Sequence, residues 1–347
     1  MIYKKLLALL TCLSLLTLSL ASCKEKKADM KARSYYEYFD TVCTVMSYAS
    51  DSEELFEANC SEVSALLGKY HKLLDIYYEY SGINNVKTVN ENAGIAPVEV
   101  ADELIDFLLY AKEMYTLTGG KTNIAMGSVL KLWHDCRKTA ESNPDNARIP
   151  TDEELTEAAK HCDINDLIID TAAGTVYISD PDMQLDVGAI GKGYAAERAA
   201  ELLISKGVTS YVLNLGGNIR TIGEKSRGKG WETGITHPNK DSDEKFITKV
   251  EIKDISLVTS GDYERFYTVG GVKYHHIIDP ATMMPAAYFS SISVFTKDSA
   301  LADALSTALF CMTYEDGLAL IESIGDIEVI WVDKEYNIKH TDGIQFL

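Results

Sequence analysis

The sequence is short of positive charge, and this shortage argues against one large class of function. Its 347 residues include 33 Lys and Arg against 52 Asp and Glu, which gives a formal net charge of −19. Proteins that bind nucleic acid need clusters of Lys and Arg to neutralise phosphates. We therefore expect no nucleic acid among the partners, and a surface that repels anionic lipid headgroups.

Paired cysteine motifs are also missing. The chain has seven cysteines, and no two of them are spaced as Cys-x-x-Cys. Cys12 and Cys23 lie at the N-terminus, and the remaining five are an odd number, which excludes a regular disulfide framework. We expect most of these five to be small buried hydrophobic residues, although one bridge stays open in an oxidising compartment.

The first twenty-odd residues contain an apolar run with the features of an export signal. Lys4 and Lys5 precede apolar residues 6–20, a run too short and too early for a typical membrane-spanning helix. Small residues then precede Cys23, a pattern that resembles a bacterial lipobox. We expect a lipoprotein signal peptide at residues 1–22, a lipid anchor on Cys23, a tether at residues 23–34 and one domain at residues 35–347. This anchor would hold the protein on the extracytoplasmic face of the cell membrane. A plain secretory signal or an uncleaved anchor is the alternative.

After residue 34 the pattern alternates between helices and strands, without internal repeats or a clear linker. Apolar residues at helical spacing predict helices at residues 53–77, 99–118, 194–205 and 299–311. Runs rich in β-branched and aromatic residues, with glycine turns, predict strands or hairpins at residues 39–49, 167–178, 246–260, 265–278, 290–296 and 329–332. Residues 136–150 are polar and turn-rich, and Thr151 with Glu154 forms a potential capping box. The fold class is therefore α/β.

A glycine-rich segment at residues 185–218 is the most informative part of the chain. It predicts a strand ending at Asp186, a turn with three glycines, a helix and a second strand. Glycines at the start of a helix let backbone N–H groups approach an anion, and Lys192 lies among them. The segment is thus a candidate phosphate or pyrophosphate site. Its spacing is Gly-x-x-Gly-x-Gly rather than the Gly-x-Gly-x-x-Gly of dinucleotide-binding units, so ordinary turn glycines remain the alternative.

Three further clusters carry potential chemistry. Asp303 and Thr307 are one helical turn apart, and their oxygens suit Mg²⁺, although such a pair is more often a surface or capping pair. His275 and His276 end a strand, where a histidine can serve as a general base or simply pack. Tyr78 lies in a tyrosine-rich loop, where an aromatic ring can stack on a flat ligand or join the core.

The order and wording of six segments resemble one family, the FAD:protein FMN transferases or ApbE-like flavin transferases. The resemblance covers roughly residues 35–335. Its segments read TGGKTNIAMG from Thr118, LDVGAIGKGYAAERAAELL from Leu185, NLGG from Asn214, SGDYERF from Ser260, YHHIIDPATMMPA from Tyr274 and ALADALSTALF from Ala300. A lipoprotein signal is also typical of many members of this family.

The resemblance implies both a fold and an activity. The expected fold is α/β (α+β), an ApbE-like T-fold-type core with mixed sheets and helices, and an N-terminal helical part packed on it. Members bind FAD and Mg²⁺ and transfer the FMN moiety to a Thr or Ser hydroxyl of a target flavoprotein, in a motif like Asp-x-x-Ser/Thr-Gly-Ala-Thr, with release of AMP. Two alternatives remain: an FAD pyrophosphatase that forms FMN and AMP, and a flavin-binding lipoprotein without turnover.

The resemblance also assigns roles to individual residues. It makes His276 the catalytic residue, and it makes the carbonyl of Ala189, with Asp303 and Thr307, the magnesium site. Two departures from the family pattern leave contacts open: Thr122 and Asn123 stand in a loop that usually reads Ala-Phe-Asp, and Phe39–Asp40 stands where many members have Met-Gly. The residues expected to contact FAD are Tyr78, Lys121, Thr122, Asn123, Asp186, Lys192, His275 and Ile278.

Overall fold

The helices begin where side chains can cap their free backbone N–H groups. The computed structural model describes residues 30–226 and 228–347. In it, Ser52, Thr151 and Thr313 each accept a hydrogen bond from the backbone N–H three residues later. The capping box predicted at Thr151 and Glu154 is confirmed. The α-helices of the described chain are α1 (Glu53–Leu73), α2 (Val86–Glu91), α3 (Asp102–Leu117), α4 (Gly127–Ser142), α5 (Asp152–Ala158), α6 (Gly191–Ser205), α7 (Ser299–Phe310) and α8 (Tyr314–Ile324).

An eight-stranded sheet forms the centre of the molecule. Its strands are β1 (Lys31–Tyr35), β2 (Cys43–Ser47), β6 (Ser210–Leu215), β7 (Asn218–Gly223), β10 (Ser256–Gly261), β13 (Phe289–Thr296), β14 (Glu328–Asp333) and β15 (Ile338–His340). They lie in the order β1-β2-β6-β7-β10-β13-β14-β15. Every neighbouring pair is antiparallel, so short turns such as the one between β6 and β7 can join adjacent strands.

Three smaller antiparallel units complete the strands. Strands β3 (Val98–Glu99), β4 (Leu167–Asp170) and β5 (Thr175–Ile178) form one sheet. The hairpins β8 (Trp231–Thr236) with β9 (Phe246–Ile252) and β11 (Phe266–Val269) with β12 (Val272–His275) form the others. The hairpins predicted within residues 167–178 and 265–278 are confirmed. None of the described helices combines the length and apolar character that a membrane crossing requires.

Alternating side chains pack the central sheet on both faces. Leu213 of β6 lies in the largest hydrophobic cluster, together with residues of α1, α3 and α6. Its neighbour Val212 points to the opposite face and packs with Trp231 of β8 and Val250 of β9. Helices therefore cover one face of the sheet and the β8–β9 hairpin covers the other. The predicted α/β fold class is confirmed.

Helices α6 and α7 cap each other's N-termini. The backbone N–H of Gly193 in α6 donates to Oδ2 of Asp303 in α7 at 2.7 Å. In return, the backbone N–H of Ser299 in α7 donates to Oε2 of Glu197 in α6 at 2.7 Å. Glu197 is buried and also accepts a hydrogen bond from Nε of Arg220 at 3.2 Å. Two carboxylates thus stabilise two positive helix ends and hold the helices in one fixed register.

The structure corrects several sequence predictions. The segment before the glycine turn is extended but belongs to no strand, because Leu185 exchanges both backbone hydrogen bonds with the side chain of Asn90. The predicted turn region at residues 136–150 is helical up to Ser142 in α4, where Trp133, Cys136 and Ala140 form a buried apolar stripe. The sequence also did not predict α8, which buries Ile321, or β8.

The N-terminal boundary also differs from the prediction. Strand β1 begins at Lys31 and pairs with β2 along its whole length, so the last residues of the predicted tether are part of the sheet. Residues Lys31–Leu347 form one compact unit. The predicted signal peptide, Cys23 and residues 24–29 lie outside the described residues. The five remaining cysteines are all free, and four of them are buried.

Because α6 and α7 are in close contact at Gly193, we expect a methyl group added at this position to destabilise the fold. A Cβ at Gly193 would lie 2.4 Å from both Cβ of Asp303 and the carbonyl oxygen of Ser299. We expect Gly193→Ala to lower the free energy of unfolding by about 1–3 kcal/mol, since the helices must move apart. Urea denaturation followed by circular dichroism measures this change.

Gly191 provides the matched control, because it lies in the same helix and its added Cβ would meet Leu74 at an ordinary 3.4 Å. We expect Gly191→Ala to leave the stability nearly unchanged. Equal stabilities of the two variants would contradict the close contact at Gly193.

Candidate active site

The predicted site residues converge on one cavity of about 960 Å³. The N-terminal end of α6, the loop before it, helix α7, the loop after α1 and the β11–β12 hairpin all contribute to its walls. Eleven of the twelve predicted residues within the described chain line it, namely Tyr78, Lys121, Asn123, Asp186, Ala189, Lys192, His275, His276, Ile278, Asp303 and Thr307.

The loop before α6 presents backbone and an acidic side chain to the cavity. Oδ1 of Asp186 accepts the backbone N–H of Gly188 at 2.9 Å, which closes a tight turn. Burial raises the pKa of Asp186, and the Gly188 N–H and the positive charge of Arg265 oppose this rise. Lys192 follows in the first turn of α6 and is half-buried. This wall thus combines a carboxylate and a cation. The predicted role of the glycine N–H groups in holding an anion is not supported, because those of Gly188, Gly191 and Gly193 all donate to acceptors within the protein.

Asp303 and Thr307 form a set of hard oxygen atoms on α7. One carboxylate oxygen of Asp303 is occupied by Gly193, and Thr307 makes no side-chain hydrogen bond within the described chain. Burial raises the pKa of Asp303, and Lys192 opposes this rise. Nδ2 of the neighbouring Asn218 is buried without a hydrogen-bond partner in the described chain, although it lines the same cavity. A carboxylate, a hydroxyl and the carbonyl of Ala189 fit a divalent cation such as Mg²⁺.

The backbone fixes the ring of His276. Its Nδ1–H donates to the carbonyl oxygen of Arg265 at 3.2 Å, and its backbone N–H donates to the same oxygen at 3.1 Å. A carbonyl can only accept, so Nδ1 carries the proton and Nε2 keeps a free lone pair. The side chain is exposed to the cavity, yet protein surrounds it on most sides. This enclosure, and then the charge of Arg265, hold the pKa of His276 well below its usual value.

His275 differs from its neighbour, because the backbone uses both of its ring nitrogens. Nε2 donates to the carbonyl of Ala286 at 2.8 Å, and Nδ1 accepts the backbone N–H of Ile277 at 3.2 Å. Burial lowers the pKa of His275 to about 4. His275 therefore packs the hairpin onto the core, and it has no ring nitrogen left for the predicted contact with FAD.

A carboxylate organises the tyrosine-rich loop after α1. Oδ1 of Asp75 accepts the backbone N–H of Tyr77 at 2.7 Å and of Tyr78 at 3.0 Å, and Oδ2 accepts the hydroxyl of Tyr80 at 2.7 Å. Tyr78 lines the cavity and is 69% exposed. Tyr77, another tyrosine of this loop, also lines the cavity, and its ring lies 5.8 Å from that of His134. Two exposed rings thus offer a surface for a flat ligand.

A strained turn at residues 38–41 lies beside this loop, because Phe39 and Tyr80 both contact the ring of His71. Phe39 and Asp40 both have positive φ values, 55° and 50°, which non-glycine residues rarely adopt. The backbone N–H of Thr41 donates to the carbonyl of Tyr38 at 3.2 Å, and that of Phe39 donates to Nδ1 of His71 at 3.3 Å. Phe39 and Asp40 stand where the resemblance expects Met-Gly. Both residues line the cavity.

The loop at residues 121–123 contains one prediction that is wrong. Lys121 lines the cavity and pairs with Asp279 at 2.8 Å, and Asn123 caps the short turn that follows it. Thr122 instead points into the core, where it is 1% exposed and donates its hydroxyl to the carbonyl of Ala304 at 2.7 Å. It does not line the cavity, so it supports α7 rather than contacting a ligand.

The deciding comparison is with known families. A family model described as the ApbE family matches residues 39–331, most of the chain. The chain belongs to the ApbE family. A FAD:protein FMN transferase of Treponema pallidum (strain Nichols) is 33% identical over 318 residues, 88% of this chain and 85% of the relative. One of Klebsiella pneumoniae (strain 342) is 33% identical over 283 residues, 81% of this chain and 84% of the relative.

Solved structures agree with this assignment. The ApbE protein of Thermotoga maritima superposes with a TM-score of 0.78 at 27% identity, over 90% of this chain and 97% of that one. The flavin transferase ApbE of Vibrio cholerae superposes with a TM-score of 0.75 at 26% identity, over 92% and 100% of the two chains. The predicted family and the predicted enzyme class, a transferase, are confirmed.

Within this ApbE-family chain, sequence reasoning missed Arg265, His134 and Arg137, which also line the cavity. Arg265 lies inside the SGDYERF segment, and the hairpin pattern that follows could have indicated it. His134 and Arg137 lie in α4, for which the sequence indicates a helix start within residues 122–133 but turns from residue 136, so nothing indicated that the two share one helix face.

Substitutions at Thr122 test whether this residue supports the fold or binds a ligand. We expect Thr122→Val to lower the free energy of unfolding by about 1 kcal/mol, because the buried hydrogen bond to Ala304 is lost. Thr122→Ser keeps the hydroxyl and serves as the control. The affinity for FAD, followed by quenching of flavin fluorescence, should equal that of the wild type in both variants. A weaker affinity of Thr122→Val at unchanged stability would restore the rejected ligand contact.

Proposed function

We propose that this chain transfers the FMN moiety of FAD to a Thr or Ser hydroxyl of a target flavoprotein, with release of AMP. The observation that carries the proposal is the free Nε2 of His276, which faces the same cavity as Asp303, Thr307 and Lys192. Such a base suits a reaction in which the hydroxyl of an acceptor protein provides the attacking oxygen and loses its proton to the base. The relatives named FAD:protein FMN transferase support the same reaction.

The cavity offers complementary surfaces to the two chemical halves of such a substrate. The exposed rings of Tyr77 and Tyr78 provide a stacking surface for a flat heterocycle. The cation of Lys192, in the first turn of α6, provides positive charge for a diphosphate. We infer that FAD is the donor and that its diphosphate lies between Lys192 and the oxygens on α7.

Mg²⁺ is the metal that this donor set favours. Asp303, Thr307 and the carbonyl of Ala189 would hold it, and water or phosphate oxygens would complete its shell. When bound, the ion would neutralise diphosphate charge and stabilise the departing AMP. The side chain of Asn218 lies beside Asp303 at the same end of the cavity and helps to keep this carboxylate ionised.

His276 would remove the proton from the attacking hydroxyl. Its Nδ1–H bond to the Arg265 carbonyl orients the ring, and its lowered pKa keeps Nε2 unprotonated at neutral pH. Water could replace the acceptor hydroxyl, so hydrolysis of FAD to FMN and AMP is the alternative activity. A flavin-binding protein without turnover would need neither this base nor the oxygens on α7.

The location is proposed from the sequence alone. The lipobox-like pattern at Cys23 supports a lipid anchor on the extracytoplasmic face of the cell membrane. In that position the active site would meet exported or membrane-bound flavoproteins. This part of the proposal is independent of the reaction.

Mass spectrometry of an acceptor protein tests the activity. The full chain in detergent would be incubated with FAD, Mg²⁺ and an apo-flavoprotein domain that contains the acceptor motif. We expect a mass gain of one FMN on the acceptor Thr, equal amounts of AMP, and loss of both after addition of EDTA. Free FMN with an unmodified acceptor would favour the hydrolase, and intact bound FAD would favour the binding protein.

Asp303→Asn separates metal binding from folding. The amide oxygen can still accept the N–H of Gly193, while the charge for the cation is lost. We expect the transfer rate to fall by at least about 100-fold with little change in stability. Asp145→Asn, an exposed substitution outside the cavity, is the control. Full magnesium-dependent transfer by Asp303→Asn would refute the metal site.

The pH dependence of the reaction tests the role of His276. A base with a lowered pKa stays unprotonated as the pH falls through the ordinary range of histidine, so its activity persists there. We expect kcat/KM for FAD, which reports the free enzyme, to stay level between about pH 6 and pH 8. A fall with an apparent pKa near the usual histidine value would show that the free enzyme contains an ordinary histidine base.

A further inference from the structure

Arg265 is a cation that lines the cavity without pairing with an acidic side chain of the described chain. Four basic side chains other than histidine line the cavity. Lys121 pairs with Asp279, and Arg137 pairs with Glu141. Lys192 and Arg265 form no salt bridge within the described chain, and Arg265 is also exposed. An unpaired arginine in a cavity is a candidate anion-binding group.

The hairpin register determines where Arg265 lies. Strands β11 and β12 pair antiparallel, with Phe266 opposite His275. The backbone N–H of His276 donates to the carbonyl of Arg265 at 3.1 Å, which continues the pairing by one position. Directly opposite residues of an antiparallel pair project their side chains from the same face. Arg265 and His276 therefore extend together into the cavity.

The positive charge of Arg265 influences the pKa values of three residues that line the cavity. Its positive charge lowers the pKa of His276 and opposes the rise in the pKa of Asp186 and Tyr77. These three residues lie on three different segments, and all of them line the cavity. Together with the strand pairing, this places the side chain of Arg265 on the same side of the hairpin as the ring of His276, in the cavity where the reacting hydroxyl must also lie.

We propose that Arg265 is a further catalytic residue, whose guanidinium binds the FMN phosphoryl group under attack and stabilises the charge that develops on it. This inference rests on the proposed function. The acceptor oxygen forms a bond to the FMN phosphorus as the P–O bond to AMP breaks, and its electron pair leaves with the AMP phosphate. The hydroxyl proton passes to Nε2 of His276. A planar guanidinium can donate two parallel hydrogen bonds to phosphate oxygens, and it neutralises charge next to the base.

Arg265→Ala removes only the guanidinium, because the other role of this residue, accepting the Nδ1–H of His276, belongs to its backbone carbonyl. The carbonyl that holds Nδ1–H of His276 remains in any variant, so the ring keeps its orientation. The side chain itself makes no hydrogen bond or ion pair in the described chain, so the fold should be unaffected. Arg148→Ala, which removes an exposed arginine outside the cavity, is the matched control.

The experiment compares kcat with FAD affinity in the full chain. For Arg265→Ala we expect kcat for AMP release with the acceptor domain to fall by about 100-fold or more. The Kd for FAD, measured in a His276→Ala background that prevents turnover, should change by less than about threefold. Arg265→Lys should be intermediate, and added ethylguanidinium should restore part of the activity of Arg265→Ala only.

Three outcomes would overturn the inference. A kcat like that of the wild type would show that Arg265 does not contact the reacting group. A rise in Kd that matches the fall in kcat/KM would make Arg265 a ground-state anchor for FAD. A loss of transfer with unchanged hydrolysis of FAD by water would show that Arg265 recognises the acceptor protein rather than the FMN phosphoryl group. Failure of the wild type to release AMP would instead contradict the proposed function itself.

Discussion

The mutual capping of α6 and α7 is the interaction on which the site depends most. Each helix begins with unpaired backbone N–H groups, and each receives a carboxylate from the other. Gly193 permits this because no side chain separates its backbone from Asp303. The same contact brings Lys192 and Asp303 to one end of the cavity. The fold thus places a cation and a buried carboxylate side by side through backbone geometry.

The carboxylate of Asp303 therefore has two roles: it caps α6 and it lines the cavity. One of its oxygens accepts the N–H of Gly193, and Thr307 lines the same cavity one helical turn later. A longer Glu at this position could not fulfil both roles without moving the helices, because the interhelical distance is set by Gly193. The buried pair of Glu197 and Arg220 fixes the opposite side of the contact and leaves little freedom for adjustment. The rigidity of this end of the cavity follows from these two ion-dipole contacts.

Much of the fold was predictable from local patterns, and the exceptions have physical causes. The caps at Thr151 and the glycine turns of two hairpins are local signals, so they were predicted correctly. The extended segment at Leu185 reads as a strand, but the side chain of Asn90, distant in sequence, takes the place of a neighbouring strand. Thr122 shows the same limitation for the site, because only the tertiary structure reveals which side of its loop faces α7. The order of the family motifs was enough to predict most of the site residues that line the cavity. That Arg265 lies opposite His276 became visible only from the strand pairing across the β11–β12 hairpin.

The carbonyl that orients His276 has a consequence for when the ring can act. Many histidine bases are oriented by a carboxylate, whose permanent negative charge strengthens them at all times. A carbonyl orients the ring but adds only a dipole, and the nearby Arg265 weakens the base further. The proton affinity of His276 would then vary with the charge of whatever occupies the cavity. An anionic ligand that offsets Arg265 would make the ring more basic, so under the proposed function the substrate would strengthen the base that acts on it.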